Sequence, residues 1–239
     1  MNLKDKVVVI TGASKGIGKN ISIALAKEGA ITVLVSRNKK TLEKTHEEIL
    51  SLGGKALAIP ADISKEEEIL NLFSKVKDQF GRLDILINNA ATIITGKLVD
   101  FSLKDYDKMM QTNLRGLYIC CQQALRIMLP QKSGYIINIS SVAGFKGYAE
   151  QSAYTASKHG VMGITKSLAA EAYKDGIFVS AILPGGVDTE LAWYARPDID
   201  RSILISPQDI ADTVLYLLRL SDTAWVDQIY IHRKTAQPF

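Results

Sequence analysis

Short apolar runs alternate with longer amphipathic ones along the chain. The short runs are Val7–Ile10, Ile31–Val35, Ala56–Ile59, Leu83–Asn88, Tyr135–Ser140, Phe178–Leu183 and Gln228–His232. They are rich in Val and Ile and mostly lack polar alternation, the pattern of strands covered on both faces. Between them lie helical patterns over Ile17–Glu28, Lys39–Ser51, Lys65–Gln79, Leu103–Leu129, Ala153–Tyr173 and Pro207–Arg219. This β-α rhythm predicts an α/β fold, a doubly wound parallel sheet of about seven strands with helices on both faces. No Pro- or Ser-rich linker and no internal repeat divides the chain, so residues 1–239 are expected to form one domain.

In such a sheet, ligands collect beyond the carboxyl ends of the strands, near the point where strand order reverses. The residues found there are chemically distinctive. Thr11-Gly12 follows the first strand, Ser36-Arg37 the second, Asp62 the third and Asn89-Ala90 the fourth. Ser140-Ser141 comes at the fifth and Pro184-Gly185 at the sixth.

The first junction reads Thr11-Gly12-Ala13-Ser14-Lys15-Gly16-Ile17-Gly18. Its glycines permit positive φ and close backbone approach, and the helix that follows presents free N–H groups to an anion. The loop therefore suits a pyrophosphate, although a tight βα turn would look the same in isolation. At the end of the second strand, NAD-binding folds usually carry a carboxylate that accepts from the ribose 2′-hydroxyl. Here Ser36 stands in its place, followed by Arg37. An arginine pairs with a 2′-phosphate that a carboxylate would repel, and Lys15 adds a second positive charge. The pattern favours NADP(H) over NAD(H). Asp62, in Ala61-Asp62-Ile63, reads either as an acceptor for the adenine amino group or as a turn residue.

Tyr154-Thr155-Ala156-Ser157-Lys158 places a phenol and an ammonium four residues apart on a predicted helix, hence on one face. A cation beside a tyrosine favours the phenolate, so Tyr154 is expected to have a lowered pKa and to exchange a proton with a substrate oxygen. Ser141, or its neighbour Ser140, could hold that oxygen. Asn113 is a poor interior helix residue, which leaves it as either a surface side chain or the holder of a water behind Lys158.

Taken together these segments resemble the short-chain dehydrogenase/reductase family in its single-domain branch, with a Rossmann-like fold. The matching stretches are TGASKGIG, ADIS, NNAA, Asn113, NISSVAG, YTASK and PGGVDT, in the family's order and spacing. The resemblance implies a catalytic set of Asn113, Ser141, Tyr154 and Lys158, and it selects Ser141 over Ser140. It implies cofactor contacts from Gly12, Ser14, Lys15, Gly16, Ile17, Gly18, Arg37, Asp62 and Ile63. Asn89 and Ala90 would support the adenosine side, and Tyr154 and Lys158 would also meet the cofactor. Pro184, Gly185, Val187 and Thr189 would form the nicotinamide pocket. The implied activity is hydride transfer between NADP(H) and a carbonyl or alcohol substrate, similar to 3-oxoacyl-acyl-carrier-protein reductases and related carbonyl reductases. The competing reading is a catalytically idle NADP(H)-sensing protein of the same fold.

Two departures stand out. Ala91 replaces the usual glycine of the fourth-strand motif, and the V-D-G-G closing segment of many relatives is replaced by Val226–Phe239. Tetramers in the family often pack through that end, so a homodimer through the two long helices competes with a homotetramer. The lid region 190–206 carries Leu191, Trp193 and Tyr194, which either line a moderately apolar pocket or pack the loop down.

Composition narrows the remainder. The chain has 29 basic and 25 acidic residues, a net charge of +4, with no long basic run, so a nucleic-acid partner is not expected. Arg115 and Arg126 are compatible with an acidic acyl carrier protein, but scattered arginines do not establish one. Cys120 and Cys121 are adjacent and unsuited to a mutual disulfide. No apolar run spans a bilayer, the amino terminus shows no signal-peptide pattern, and low cysteine use fits a reducing compartment. These features point to the cytoplasm. His46, His159 and His232 match no metal-ligand spacing, and no metal is expected.

Overall fold

Strands β1 (Val7–Thr11), β2 (Ile31–Ser36), β3 (Lys55–Pro60), β4 (Ile85–Asn88), β5 (Gly134–Ile139), β6 (Ile177–Pro184) and β7 (Gln228–Ile231) form one sheet in a computed structural model of the protein. The structure describes residues 1–221 and 223–237. Asp222 and the last two residues of the carboxyl-terminal departure, Pro238 and Phe239, lie outside the described residues. The strand order is β3-β2-β1-β4-β5-β6-β7, and every pairing is parallel. The order reverses between β1 and β4, which sets the crevice expected of a doubly wound α/β fold.

The helices are α1 (Gly16–Lys27), α2 (Lys39–Ser51), α3 (Glu66–Phe80), α4 (Leu103–Met110), α5 (Leu117–Gln131), α6 (Ser152–Ala172), α7 (Glu190–Ala195) and α8 (Pro207–Arg219). Strand alternation sorts the core into two layers. Val7, Val9, Val33, Leu86, Ile136 and Val179 face α3, α5 and α6, where Leu72, Phe73, Cys120 and Val161 pack. Val8, Ile10, Leu34, Ile87, Ile137 and Ile182 face the other way, onto Ile21 and Leu25 of α1, Leu42 of α2 and Val214 of α8. The inner strands are apolar on both faces because each face is covered, which explains their runs of Val and Ile.

Two expectations need correction. The helix predicted over Leu103–Leu129 runs without a break but is not α-helical throughout: α4 and α5 are joined by a π-helical turn, Gln111–Gly116. Gly116 there lies so close to Ile63 that an added Cβ would sit 2.1 Å from the Ile63 carbonyl oxygen. The β4 strand begins at Ile85 rather than Leu83, because the Gln131 side chain satisfies the Leu83 backbone: Leu83 N–H donates to Gln131 Oε1 at 3.0 Å and Gln131 Nε2 to the Leu83 carbonyl at 2.8 Å. The helices predicted over Lys39–Ser51 and Pro207–Arg219 match α2 and α8, and the other predicted elements shift by one residue at one end or both, as hydrogen-bond fraying allows.

Between β4 and β5 sits a buried polar chain. Asn88 and Asn138 are register partners, and Asn88 Nδ2 donates to Asn138 Oδ1 at 2.9 Å. Asn138 Nδ2 in turn donates to Thr165 Oγ1 of α6 at 2.9 Å. At the opposite end of the sheet, Asp84, 4% exposed, accepts from Lys6 Nζ at 3.0 Å, the Val7 N–H at 2.9 Å and Arg82 Nε at 2.9 Å.

Candidate active site

A cavity of about 520 Å³ opens at the carboxyl ends of β1, β4, β5 and β6, at the reversal of strand order. Its first wall is the loop between β1 and α1. Gly12 (φ +69°) and Gly16 (φ +55°) both hold the left-handed conformation that the glycine reading required. Lys15 occupies the N-cap of α1 and gives no side-chain cap, so the first-turn amides carry no side-chain acceptor. Gly12, Ser14, Lys15, Gly16 and Ile17 line the cavity, whereas Gly18 does not. Gly18 serves packing: a Cβ there would meet the Gly12 carbonyl oxygen at 2.3 Å and Asn89 Nδ2 at 2.5 Å.

The loop is clasped from β4. Asn89 Nδ2 donates to the carbonyls of Thr11 at 2.9 Å and Gly12 at 3.2 Å. The backbone N–H groups of Asn89 and Ala90 both donate to Thr11 Oγ1, at 3.0 and 3.1 Å. The Asn89 amide thus fixes the loop, while Asn89 and Ala90 both line the cavity.

At the far end lie Ser36, Arg37, Asp62 and Ile63. Ser14 and Ser36 share a hydrogen bond at 2.9 Å. Arg37 is exposed and makes no ion pair among the described residues. Asp62 plays the turn role weighed for it, since Oδ1 accepts from the Ser64 N–H at 3.0 Å and Ser64 Oγ at 2.8 Å. Burial raises its pKa, but the Ser64 hydrogen bonds and the charges of Arg37 and Lys65 outweigh that and hold the carboxyl below its usual range. Lys15 is placed differently from the expectation of a free second cation: it is ion-paired with Glu190 at the start of α7. That pair joins the loop to the lid.

The near end holds the chemistry. Tyr154 and Lys158, 7% and 3% exposed, stand on α6 with Ser141 opposite, beyond β5. The Lys158 ammonium donates to the Ile139 carbonyl at 2.9 Å and lies 5.8 Å from the centre of the Tyr154 ring. The expectation of a lowered tyrosine pKa does not hold for the protein alone. Burial pushes the Tyr154 phenol up to about 12, against an opposing influence of the Ser141 hydroxyl. Burial also brings Lys158 down to about 8. Desolvation disfavours the charged form of each and is the leading cause of both shifts.

Both serines line the cavity, but their hydroxyls have different partners. Ser140 Oγ turns to the Lys158 carbonyl at 3.3 Å, while Ser141 Oγ accepts from the Ala143 N–H at 3.1 Å and faces Tyr154. Asn113 is not at the surface; it is 1% exposed, in the π-helical turn, and does not line the cavity. Its amide grips the backbone of Thr92, accepting from N–H at 2.8 Å and donating to the carbonyl at 2.8 Å, and donates to Ser157 Oγ at 3.2 Å. The side chain is therefore spent on tying the segment after β4 to α6 and does not contact Lys158.

Pro184, Gly185, Val187 and Thr189 line the side formed by the end of β6. The Gly185 N–H donates to the Ile231 carbonyl at 2.8 Å, and Thr189 Oγ1 caps α7 through the Ala192 N–H at 3.4 Å. In the lid, Leu191 and Trp193 line the cavity, but Tyr194 points to solvent, 68% exposed. Trp193 is clamped: its Nε1 donates to Asp188 Oδ1 at 2.8 Å, and the Arg201 guanidinium lies 3.8 Å over its ring.

Sequence reasoning missed part of this wall. Lys146, Tyr148 and Gln151, before α6, and His232, Arg233 and Ala236, after β7, all line the cavity. The rule that flagged the other strand ends applied equally to His232-Arg233, which follow β7. Among the described residues no cluster of three His, Cys, Asp or Glu could hold a metal ion, and no helix is long and apolar enough to cross a membrane.

The sequence model of the family described as short chain dehydrogenase matches residues 6–200. The chain belongs to the short-chain dehydrogenase family. An uncharacterized oxidoreductase of Staphylococcus aureus strain MRSA252 is 38% identical over 229 residues, covering 96% of this chain and 97% of the relative. Among solved structures, a metagenomic short-chain oxidoreductase in complex with NADP is similar with a TM-score of 0.87 and 33% identity, covering 98% of this chain and 100% of that one. A variant of the actinorhodin polyketide ketoreductase with NADPH is similar with a TM-score of 0.91 and 29% identity, covering 96% of each chain. As a short-chain dehydrogenase the protein is an oxidoreductase acting on CH–OH or C=O groups.

Proposed function

We propose that this short-chain dehydrogenase is a single-domain, NADP(H)-dependent carbonyl reductase. The observation that carries the reading is the Tyr154 phenol, buried beside Ser141 at one end of the cavity and pushed up to about 12. Its hydroxyl is placed to give a proton to the oxygen of a carbonyl that is being reduced.

The cavity suits a dinucleotide. The Gly12–Gly18 loop offers uncapped amides at the start of α1 for the pyrophosphate. Arg37 beside Ser36 would pair with a 2′-phosphate, and Asp62 and Ile63 would flank the adenine. Lys15 would join them only by leaving Glu190. The Pro184–Thr189 wall would receive the nicotinamide. When bound, the cofactor supplies the hydride. Ser141 orients the substrate oxygen, Tyr154 gives it a proton from its hydroxyl, and a carbonyl becomes an alcohol. Lys158, brought near neutrality by burial, restores the tyrosine proton. Asn113 acts as a positioning residue, holding the Thr92 segment against Ser157.

The NADPH-bound ketoreductase relative and the NADP-bound oxidoreductase relative support this cofactor, and the ketoreductase supports the direction. A 3-oxoacyl thioester is one candidate substrate among ketones and aldehydes. The test is loss of NADPH absorbance, with NADH in parallel, against acetoacetyl thioesters, aldehydes, diketones and keto sugars. Turnover with NADPH that vanishes in Tyr154→Phe is the expected result. Tight NADPH binding without turnover on any class would favour the idle sensing protein instead.

A further inference from the structure

We propose that Arg233 makes this enzyme selective for carbonyl substrates that carry an anionic group, a carboxylate in the simplest case. The inference rests on the reductase reading and names the substrate class of that same site.

Arg233 follows β7 in the segment that departs from the family's usual carboxyl end, and it lines the cavity shared by Ser141 and Tyr154. Its backbone is fixed on both sides. The preceding Ile231 carbonyl accepts from the Gly185 N–H at 2.8 Å, and the Arg233 carbonyl accepts from the Ala236 N–H at 2.9 Å. The side chain runs along the nicotinamide-side wall. A Cβ added at Gly186 would meet Arg233 Cδ at 3.5 Å and Nε at 3.7 Å, so the absence of a side chain there leaves room for the guanidinium stem.

The guanidinium is half-buried and makes no ion pair among the described residues. The acidic side chains of the cavity are otherwise occupied. Asp188 accepts from Trp193, Glu190 is paired with Lys15, and Asp62 holds Ser64 at the adenosine end. Arg196, the lid arginine that lines the cavity, is bound to Asp198. The charge of Arg233 is felt within the pocket, where it acts to lower the Tyr148 phenol against the stronger upward push of burial. A half-buried arginine with a fixed stem and no carboxylate partner is arranged to take one from a ligand, with two parallel N–H donors.

The test uses a series of keto acids (pyruvate, acetoacetate, 4-oxopentanoate and 5-oxohexanoate), each beside its methyl ester. NADPH oxidation is followed with the wild-type enzyme, Arg233→Gln and Arg233→Lys. The acids should exceed their esters in kcat/KM by roughly tenfold to a hundredfold at the best chain length, the worth of a charge-assisted pair. Arg233→Gln should bring acid and ester level, mainly through KM, and Arg233→Lys should restore part of the preference. NADPH affinity should be unchanged. Acid and ester equivalent in the wild type at every length would overturn the proposal, as would an acid preference that survives Arg233→Gln. A fall in NADPH affinity with no change in the acid-to-ester ratio would assign Arg233 to the cofactor and overturn it too. If no carbonyl is turned over, the reductase reading fails separately. Binding of 4-oxopentanoate is then read by tryptophan fluorescence on the NADPH-loaded protein: tighter binding to wild type than to Arg233→Gln upholds the anion site, and equal or absent binding rejects it.

Discussion

Gly18→Ala puts one methyl group where the loop and helix α1 meet. The new Cβ would lie 2.3 Å from the Gly12 carbonyl oxygen and 2.5 Å from Asn89 Nδ2, and the first of these is backbone that cannot swing aside. Relief requires α1 to lift or Asn89 to let go of the Thr11 and Gly12 carbonyls. Losing those two hydrogen bonds costs about 0.5–1.5 kcal/mol each. Overpacking adds about 1–3 kcal/mol. Alanine returns about 1 kcal/mol through its better helix propensity. The expected net loss is about 1–5 kcal/mol, a fall in melting temperature of roughly 2–20 °C for a chain of this size. Urea unfolding monitored by tryptophan fluorescence measures it, and NADPH titration should show weaker binding because the displaced loop no longer presents its amides. Gly163→Ala is the internal control. It lies in α6 with nothing within 4 Å of the added Cβ, so it should hold or gain stability. A Gly18→Ala protein within about 0.5 kcal/mol of the parent, with NADPH affinity intact, would refute the argument from close approach.

Tyr154→Phe should retain the fold and NADPH binding while turnover falls by roughly 10²–10⁴, the usual worth of a positioned proton donor, read by comparing kcat with the dissociation constant for NADPH. Arg37→Glu should reverse the cofactor preference, weakening NADPH binding by roughly tenfold to a hundredfold while sparing NADH, as judged by parallel titrations. For Asp84, burial raises the pKa, but Arg82, the Val7 N–H and Lys6 hold it below the ordinary carboxylate value. A depressed folded-state pKa contributes stability that is full above about pH 4 and is lost as pH falls through the folded value. Asp84→Asn should therefore cost about 1.5–3 kcal/mol at neutral pH and less in acid, visible as a shallower acid limb in pH-dependent thermal unfolding.

The strands and the helices were legible because burial on both sheet faces leaves a plain mark, runs of Val and Ile punctuated by glycines and polar strand ends. The π-helical turn within the helix over Leu103–Leu129 was not. A π-helical turn differs from an α-helix by one hydrogen-bond step, and Asn113 was the single sign of it. Residues whose roles follow from local geometry, such as Gly12 and Gly16, were read correctly as turn glycines. Roles set by partners distant in sequence were hidden. Lys15 pairs with Glu190, and Asn113 with Thr92. The tyrosine pKa was misjudged because spacing shows a charge four residues away but not the depth of burial, and burial decides its sign. The tail after β7 was read for what it lacked rather than for where a seventh parallel strand must end.

The Asn88–Asn138 contact between β4 and β5 bears on how the chain finds its alignment. Ile85–Asn88 and Gly134–Ile139 are short apolar segments, and a slip of two residues would keep every side chain on its original face. Apolar packing alone discriminates weakly between such alternatives. A slipped pairing would strand two buried amides away from each other and from Thr165, at a cost of about 1–3 kcal/mol for each group left unsatisfied. The amides thus work as an alignment mark: they add little to cohesion, yet they make one of several nearly equivalent arrangements the only comfortable one. Ala90 and Ser141 come two residues after the ends of β4 and β5, so the same mark sets how far the proton-donating end of the cavity stands from the phosphate loop.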